Sequence, residues 1–451
     1  MVVRLLNKAA LFLCLIGVNL AANAQVVVDS SFGSGGALNG PNFQIPDNLG
    51  KTVGDNLFHS FAEFSLQSGQ SATFTGPDAI QNILGRVTGS KVSEIDGLIK
   101  SEIAGANLYL LNPNGFLFGE NAKVDVDGAF TVSARESIKL GEEGSFNAVN
   151  PDQSVFTSVA PNAFGFLGDN PGGAIQFSGS KLIVGNPMGL VGGDIKLEDS
   201  VIYSKSEGKP TGVRIEGNNL DIVDSQIRNK STMEVEGVKQ GITIDLKGDL
   251  NITDTAITET DESGMDRGDF IEEIGSDVLF PGKVGIIGVT EGFERPDPIA
   301  INAKEATITG GGVYSVNQVS EEKISMLSQP SKIDLKAESL QMNQGELEGV
   351  TKSVDVKYVE KTVLERGTNR VKVNQLPFEM VGSVDIYLDG ERLFEGTDYT
   401  LRFNSKGQLM PVSFTDKLPK GSEVEIVIRA KNKTMPSSVS LNVTGSVALE
   451  K

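Results

Sequence analysis

The sequence predicts an all-β fold, a solenoid of stacked parallel coils, on three observations. Glycine supplies 52 of 451 residues, tryptophan is absent and aromatics are 6%, a composition of many turns and therefore many short strands. Helical periodicity of any length is missing, while two-residue alternation recurs throughout. From residue 175 onward, one apolar pattern repeats at intervals that suit a coil and its insertions.

The first 24 residues precede the fold. Arg4 and Lys8 open a segment whose apolar run, Ala9 to Leu20, ends at Ala22-Asn23-Ala24. A run of a dozen residues is short of the ~20 that a membrane-spanning helix needs, and small residues stand where a signal peptidase cuts. Cleavage between Ala24 and Gln25 is expected, leaving an exported, soluble chain. It removes Cys14, the only cysteine, with two cations, taking the net charge from −19 to −21.

Residues 25–140 are dense in glycine, asparagine and short alternations, such as Phe64-Ser-Leu66 and Ala72-Thr-Phe74 around Gly69. Leu108 to Leu111 and Phe116 to Phe118 read as two strands flanking Asn112, Pro113, Asn114 and Gly115. Proline presets the first central position of that turn, and Asn114-Gly115 tolerates positive φ.

Residues 141–351 read as coils with insertions. The pattern appears as Ile175-Phe177-Gly179-Leu182-Val184, then at Val213, Ile242, Ile299, Ile333 and Val439, with a looser copy at Ile195-Leu197 and Val201-Tyr203. The tightest steps, 175 to 195 and 195 to 213, are near one coil. Alternation turns one side chain of each pair inward, so stacking about 4.8 Å apart builds a continuous apolar ladder. An antiparallel sandwich explains six similar copies less well.

Residues 352–436 break the pattern. Val384–Leu388, Tyr399–Phe403 and Val424–Ile428 alternate, with turn signals at Asp389-Gly390 and Lys406-Gly407, as in a small inserted β-sandwich-like module. The coil returns over 437–451.

Composition excludes several functions. The acidic charge repels a phosphate backbone, so nucleic acid is not an expected partner. One cysteine and one histidine leave no disulfide framework, thiolate metal site or histidine-based triad. No cofactor or catalytic group is expected. His59 reads as a packed or capping residue. Asp125-Val-Asp127-Gly128 lacks the further ligands of an EF-hand and reads as a turn. Arg267, Gly268 and Asp269 spell an integrin-type tripeptide in an acidic loop, for which a solvated loop is the plainer explanation. A polysaccharide-active enzyme needs carboxylates and a base converging from adjacent coils; Asp221, Asp224 and Asp245 are the candidates, without a distinct constellation. A structural surface-coat component is a further alternative.

Asn56-Leu-Phe-His-Ser-Phe61, Gly76-Pro77, Arg86-Val-Thr-Gly89, Ile95-Asp-Gly97 and Ala106-Asn-Leu-Tyr-Leu-Leu-Asn-Pro-Asn-Gly115 together resemble the secretion domain of filamentous haemagglutinin-like exoproteins, the cargo of bacterial two-partner secretion. The resemblance is close over about 27–140 and looser to Val350. It implies a right-handed parallel β-helix with an N-terminal cap, recognised by an outer-membrane barrel transporter with periplasmic domains and folded after crossing. It also implies an adhesin, secreted or held at the cell surface, whose target is a host or neighbouring-cell glycan or protein. The same logic marks Asn112, Pro113, Asn114 and Gly115 as a secretion motif.

Overall fold

The computed structural model describes residues 26–165, 172–206, 209–232, 240–255, 284–291, 299–319, 332–353, 357–364, 367–372, 381–404, 409–430, 434–436 and 438–450. The signal segment with Ala24 and Gln25, the Arg267–Asp269 tripeptide and the Lys406-Gly407 turn lie outside them.

The chain winds as a parallel β-helix with three walls. The first wall stacks Asn56–Phe64, Asn82–Val87, Asn107–Leu111, Phe130–Ser133, Met188–Val191, Val213–Gly217, Ile242–Leu246, Ile299–Asn302, Lys332–Ala337 and Ser438–Val443. The second runs from Ser93–Ile95 through Gly115–Phe118 and Ala174–Ser178 to Val447–Glu450. The third is built in two pieces, Asn42–Pro46 to Lys123–Asp125 and then Lys181–Val184 to Glu346–Ser353.

Period-2 alternation aligns the inner rows. One row of the first wall passes through Leu110, Val132, Leu190 and Ile215, each in register with the next. It continues through Ile244, Ile301, Leu335 and Leu441. From Leu110 to Leu335 the row belongs to one core together with second-wall residues such as Ile195, Leu197, Leu220 and Ile222. Phe118 and Phe177 stack within it, 4.8 Å between centroids.

Phase differs from the sequence reading. Ile175 and Ile195 lie on the second wall, whereas Val213 lies on the first. The step from 195 to 213 therefore runs between walls, and on one wall Met188 pairs with Val213 and Val213 with Ile242, coils of 25 and 29 residues. Two short strands joined by a bend occur at successive corners, so the pattern matches first-to-second and second-to-third wall pairs alike.

Two departures flank the coils. Ser137–Leu140, Gly144–Asn147 and Ala163–Gly165 form an antiparallel sheet. Ile138, Leu140 and Phe146 from this excursion cover the outer residues Phe58, Leu84 and Leu111 of the first wall. Between 357 and 430, seven strands make two antiparallel sheets around their own core, including Ile386, Tyr399, Phe414, Val424 and Ile426. Asp389 (φ 49°) and Gly390 (φ 90°) turn the hairpin from Val381–Leu388 into Glu391–Leu393, the backbone that an Asp-Gly pair favours. The strand expected at Tyr399–Phe403 stops at Thr400, where the chain leaves the sheet and exposes Phe403.

At the start, Val26–Val28 pairs antiparallel with Asn56–Phe64 and then with Gly36–Ala37. Lys51–Val53 adds to the same strand, so the first wall begins under an antiparallel cap.

Candidate functional site

Asn112–Gly115 is the bend between the first and second walls. Gly115 N donates to Asn112 O at 2.9 Å, closing the turn, and Asn112 N donates to Ser133 O of the next coil. Asn112 is fully buried and works in both directions. Its Nδ2 donates to Lys91 O and Ser93 Oγ of the preceding coil, both 2.9 Å. Its Oδ1 accepts from Asn114 N at 3.0 Å and Asn114 Nδ2 at 2.9 Å. Asn114 Nδ2 also donates to Gly89 O at 2.8 Å. The corner thus ties three coils with side-chain amides that replace backbone partners lost at the bend.

Positive φ falls on Gly115 alone in this turn (φ 106°), not on Asn114. A Cβ on Gly115 would meet Ala174 O of the next second-wall strand at 2.3 Å, so glycine is required here twice over, by conformation and by close approach.

Sequence reasoning did not find the latch behind this corner. Arg86, 1% exposed, donates through Nε to Ser60 Oγ at 2.8 Å and through one terminal nitrogen to Asn147 O at 2.6 Å and Ser154 Oγ at 2.7 Å. Its other nitrogen reaches Ser31 Oγ at 3.1 Å, and the guanidinium lies 4.7 Å from the Phe146 ring centroid. Burial lowers its pKa to about 10, opposed by the charges of Asp29 and Asp152, so it stays protonated at neutral pH. Burial pushes the Asp29 carboxyl up, but hydrogen bonds from Ser60, Ser31 and Thr88 outweigh this and hold it below its usual value. One fork therefore joins the cap, the first coil and the excursion.

An asparagine ladder was also missed. Asn82 Nδ2 donates to Asn56 Oδ1 at 2.9 Å and Asn107 Nδ2 to Asn82 Oδ1 at 3.0 Å. Asn56 Nδ2 ends on Thr157 O and Val159 O of the excursion. The recurrence of asparagine at 56, 82 and 107, one coil apart, was the available signal.

His59 points inward with Leu57 and Phe61. It is 1% exposed, and neither ring nitrogen has a hydrogen-bond partner. Phe74 lies 5.5 Å from it, centroid to centroid, and Gly85 faces it on the next coil. Burial depresses its pKa to about 3; it is a neutral packed residue.

The carboxylate candidates do not converge. Asp221 lies on the second wall and Asp245 on the first. Asp224 sits at the corner beyond Leu220–Val223, with φ 48°, accepting from Thr255 N and Oγ1. Asp127 accepts from Gly105 N at 2.8 Å and pairs with Lys209, which, with that backbone bond, holds its pKa low. Among the described residues, no group of three His, Cys, Asp or Glu is placed to hold a metal, and no helix is long and apolar enough to cross a membrane.

The class that the fold defines is a capped parallel β-helix, one of whose early coils turns through an Asn-Pro-Asn-Gly bend. Residues 24–269 match the family pattern described as the TPS secretion domain. The chain belongs to that family, the exoproteins of two-partner secretion. It is also similar to a heme/hemopexin-binding protein of Haemophilus influenzae, 31% identical over 84 residues, which is 19% of this chain and 9% of that protein. The match spans less than a tenth of the relative's length.

Proposed function

We propose that this chain is the exported member of a secretion pair. Its signal segment is removed between Ala24 and Gln25, and an outer-membrane barrel transporter with periplasmic domains reads residues 25–140. The chain then folds outside as an adhesin-type binding protein, released or held at the cell surface. The observation that carries this reading is the coincidence of the family match over 24–269 with the cap, the first coils and the Asn112–Gly115 corner. In this reading Asn112, Pro113, Asn114 and Gly115 form the export turn.

Target contact is assigned to the module at 352–436. It has a core of its own, and it exposes Phe394, Phe403 and Met410 to solvent, aromatic and flexible apolar groups of the kind that line contact surfaces. A host or neighbouring-cell glycan or protein is the expected ligand. The relative's name speaks of heme, but in this chain the only histidine is the buried His59, so no imidazole is offered to a heme arriving from solvent. A catalytic role finds no support in the scattered Asp221, Asp224 and Asp245.

Co-expression tests the first half. The chain is expected in the medium only when its transporter is present, and equal release without it refutes the reading. Binding of the secreted chain to epithelial cells, with and without 357–430, tests the second; unchanged binding after removal refutes the assignment to the module.

A further inference from the structure

Residues 357–430 differ from the rest of the chain in charge. They hold eleven lysines and arginines against eleven aspartates and glutamates, so the net charge of −19 lies entirely outside them. Their two antiparallel sheets also treat charge differently. On the sheet of Lys357–Val363, Glu423–Ala430, Val381–Leu388 and Glu391–Leu393 the cations are paired. Lys361 Nζ lies 2.9 Å from Glu425 and 3.5 Å from Glu423, and Arg392 lies 2.6 Å from Asp385. On the sheet of Thr368–Val371, Val412–Leu418 and Tyr399–Thr400, alternation turns Val371, Val412, Phe414 and Tyr399 into the module core. The outer face carries Arg370, Lys372 and Thr400, all exposed, with Ser413 half-buried among them. Arg370 stands opposite Ser413 and Ser413 opposite Thr400, one row across three strands. Past Thr400 the chain stays beside the segment leading into Val412–Leu418, with Met410 N donating to Arg402 O at 2.8 Å. There Leu401 packs on the core and Arg402 is exposed. Among the described residues, the ion pairs of the module lie on the first sheet, and Arg370, Lys372 and Arg402 have none.

We propose that this face binds an acidic glycan, one that carries a carboxylate on each disaccharide. The inference rests on the assignment of target contact to this module and names the ligand class. Three cations without counter-charges attract an anion, and the two arginine forks suit carboxylates in particular. Lys372 and Arg402 lie on the strands to either side of Val412–Leu418, two strand spacings or about 10 Å apart. That is close to the repeat of a disaccharide in an extended chain, so successive carboxylates of a glycan crossing the strands reach both. Thr400 and Ser413 offer hydroxyls between the cations for the sugar's own hydroxyl groups. A long, densely charged strand such as nucleic acid fits less well, because beyond the patch it meets the acidic body of the chain. A bilayer fits less well too, because hydroxyls stand among these cations in place of the aromatic rings that anchor a face at a membrane interface.

Binding of the full secreted chain to immobilised hyaluronan, which has one carboxylate per disaccharide, reads this directly, with the same polymer reduced at its carboxyl groups as the control. Binding is expected to the first and not to the second, and it should weaken as salt is added. Arg370→Gln and Arg402→Gln are each expected to weaken it about tenfold. Lys361→Gln and Arg392→Gln, whose cations are already paired on the other sheet, should leave it unchanged. All four side chains are exposed, so the variants should keep the far-ultraviolet circular dichroism of the parent. No binding to hyaluronan, equal binding to the reduced polymer, indifference to Arg370→Gln and Arg402→Gln, or stronger binding to phosphatidylglycerol vesicles overturns the proposal. Epithelial-cell binding separates the two levels. If both variants bind cells as the parent does while the chain lacking 357–430 does not, the module keeps its role and the acidic-glycan face fails. If the chain lacking 357–430 binds cells as the parent does, the underlying assignment to the module fails instead.

Discussion

Acid should weaken the first coil through one residue. His59 is neutral in the fold, with a pKa near 3 against 6.5 for the free side chain. The folded form binds fewer protons, so unfolding takes one up between these values. His59 therefore contributes its full share above pH 6.5 and progressively loses it as pH falls toward 3. Linkage puts the loss at about 2 kcal/mol between pH 8 and pH 5. The perturbation that isolates it is His59→Leu, which fills a site lined by Phe61 and Phe74 and removes two unpartnered nitrogens. With no tryptophan in the chain, urea unfolding is followed by circular dichroism, with deuterium uptake at Asn56–Phe64 as a local readout. The wild type should lose about 2 kcal/mol more than the variant across that interval, and its uptake at pH 5 should be the faster. Parallel pH dependence in the two proteins would refute the argument, since the shared carboxylates would then account for all of it.

Gly115→Ala should cost about 3 kcal/mol, from a strained φ and a Cβ set against Ala174 O, and should lower the secreted yield several-fold on immunoblots of the medium. Asn112→Ala removes four hydrogen bonds at a buried site and should cost about 2–3 kcal/mol in urea unfolding, more than Asn114→Ala. Arg86→Lys keeps the charge but cannot reach Ser60, Asn147 and Ser154 together; a loss of about 2–4 kcal/mol and faster protease nicking within 137–165 are expected. Lys352, Ser353 and Thr434–Pro436 belong to the third wall, so the excision that tests the module is 357–430. Its replacement by a short Gly-Ser bridge should leave secretion and the β-rich spectrum of the remainder unchanged, and loss of either places that segment within the solenoid.

The walls were legible where burial is one-sided. Ile242–Leu246 and Ile333–Leu335 alternate because one row faces the core and the other water. The third wall was legible at Leu182-Val184, where burial still alternates, but less so beyond it, because there the rule fails. Gln226–Ser231 reads as a polar loop, yet Gln226, Arg228, Asn229 and Ser231 are all buried, and Arg228 lies 4.6 Å from the Tyr203 ring centroid. Val201–Ser204 is buried on both faces and shows no period at all. The export corner was legible as a turn, but its mechanism was not. The Asn114-Gly115 pair was expected to tolerate positive φ, which falls on Gly115 alone, while Asn114 acts through its side-chain amide. Arg86 stood out only within the Arg86-Val-Thr-Gly89 block, and nothing in the sequence marked it as buried, since a lone arginine in a strand ordinarily faces water.

The direction of the hydrogen bonds has a mechanical consequence. Strands in neighbouring coils pair across the walls, so their bonds run along the long axis of the β-helix. A pull applied between its two ends loads those bonds one coil after another and not side by side, which is the compliant arrangement. Stretched in this way, the chain should pay out length in discrete steps at modest force. The coil from Met188 to Val213 would release about 9 nm of contour, and the longer turns proportionally more.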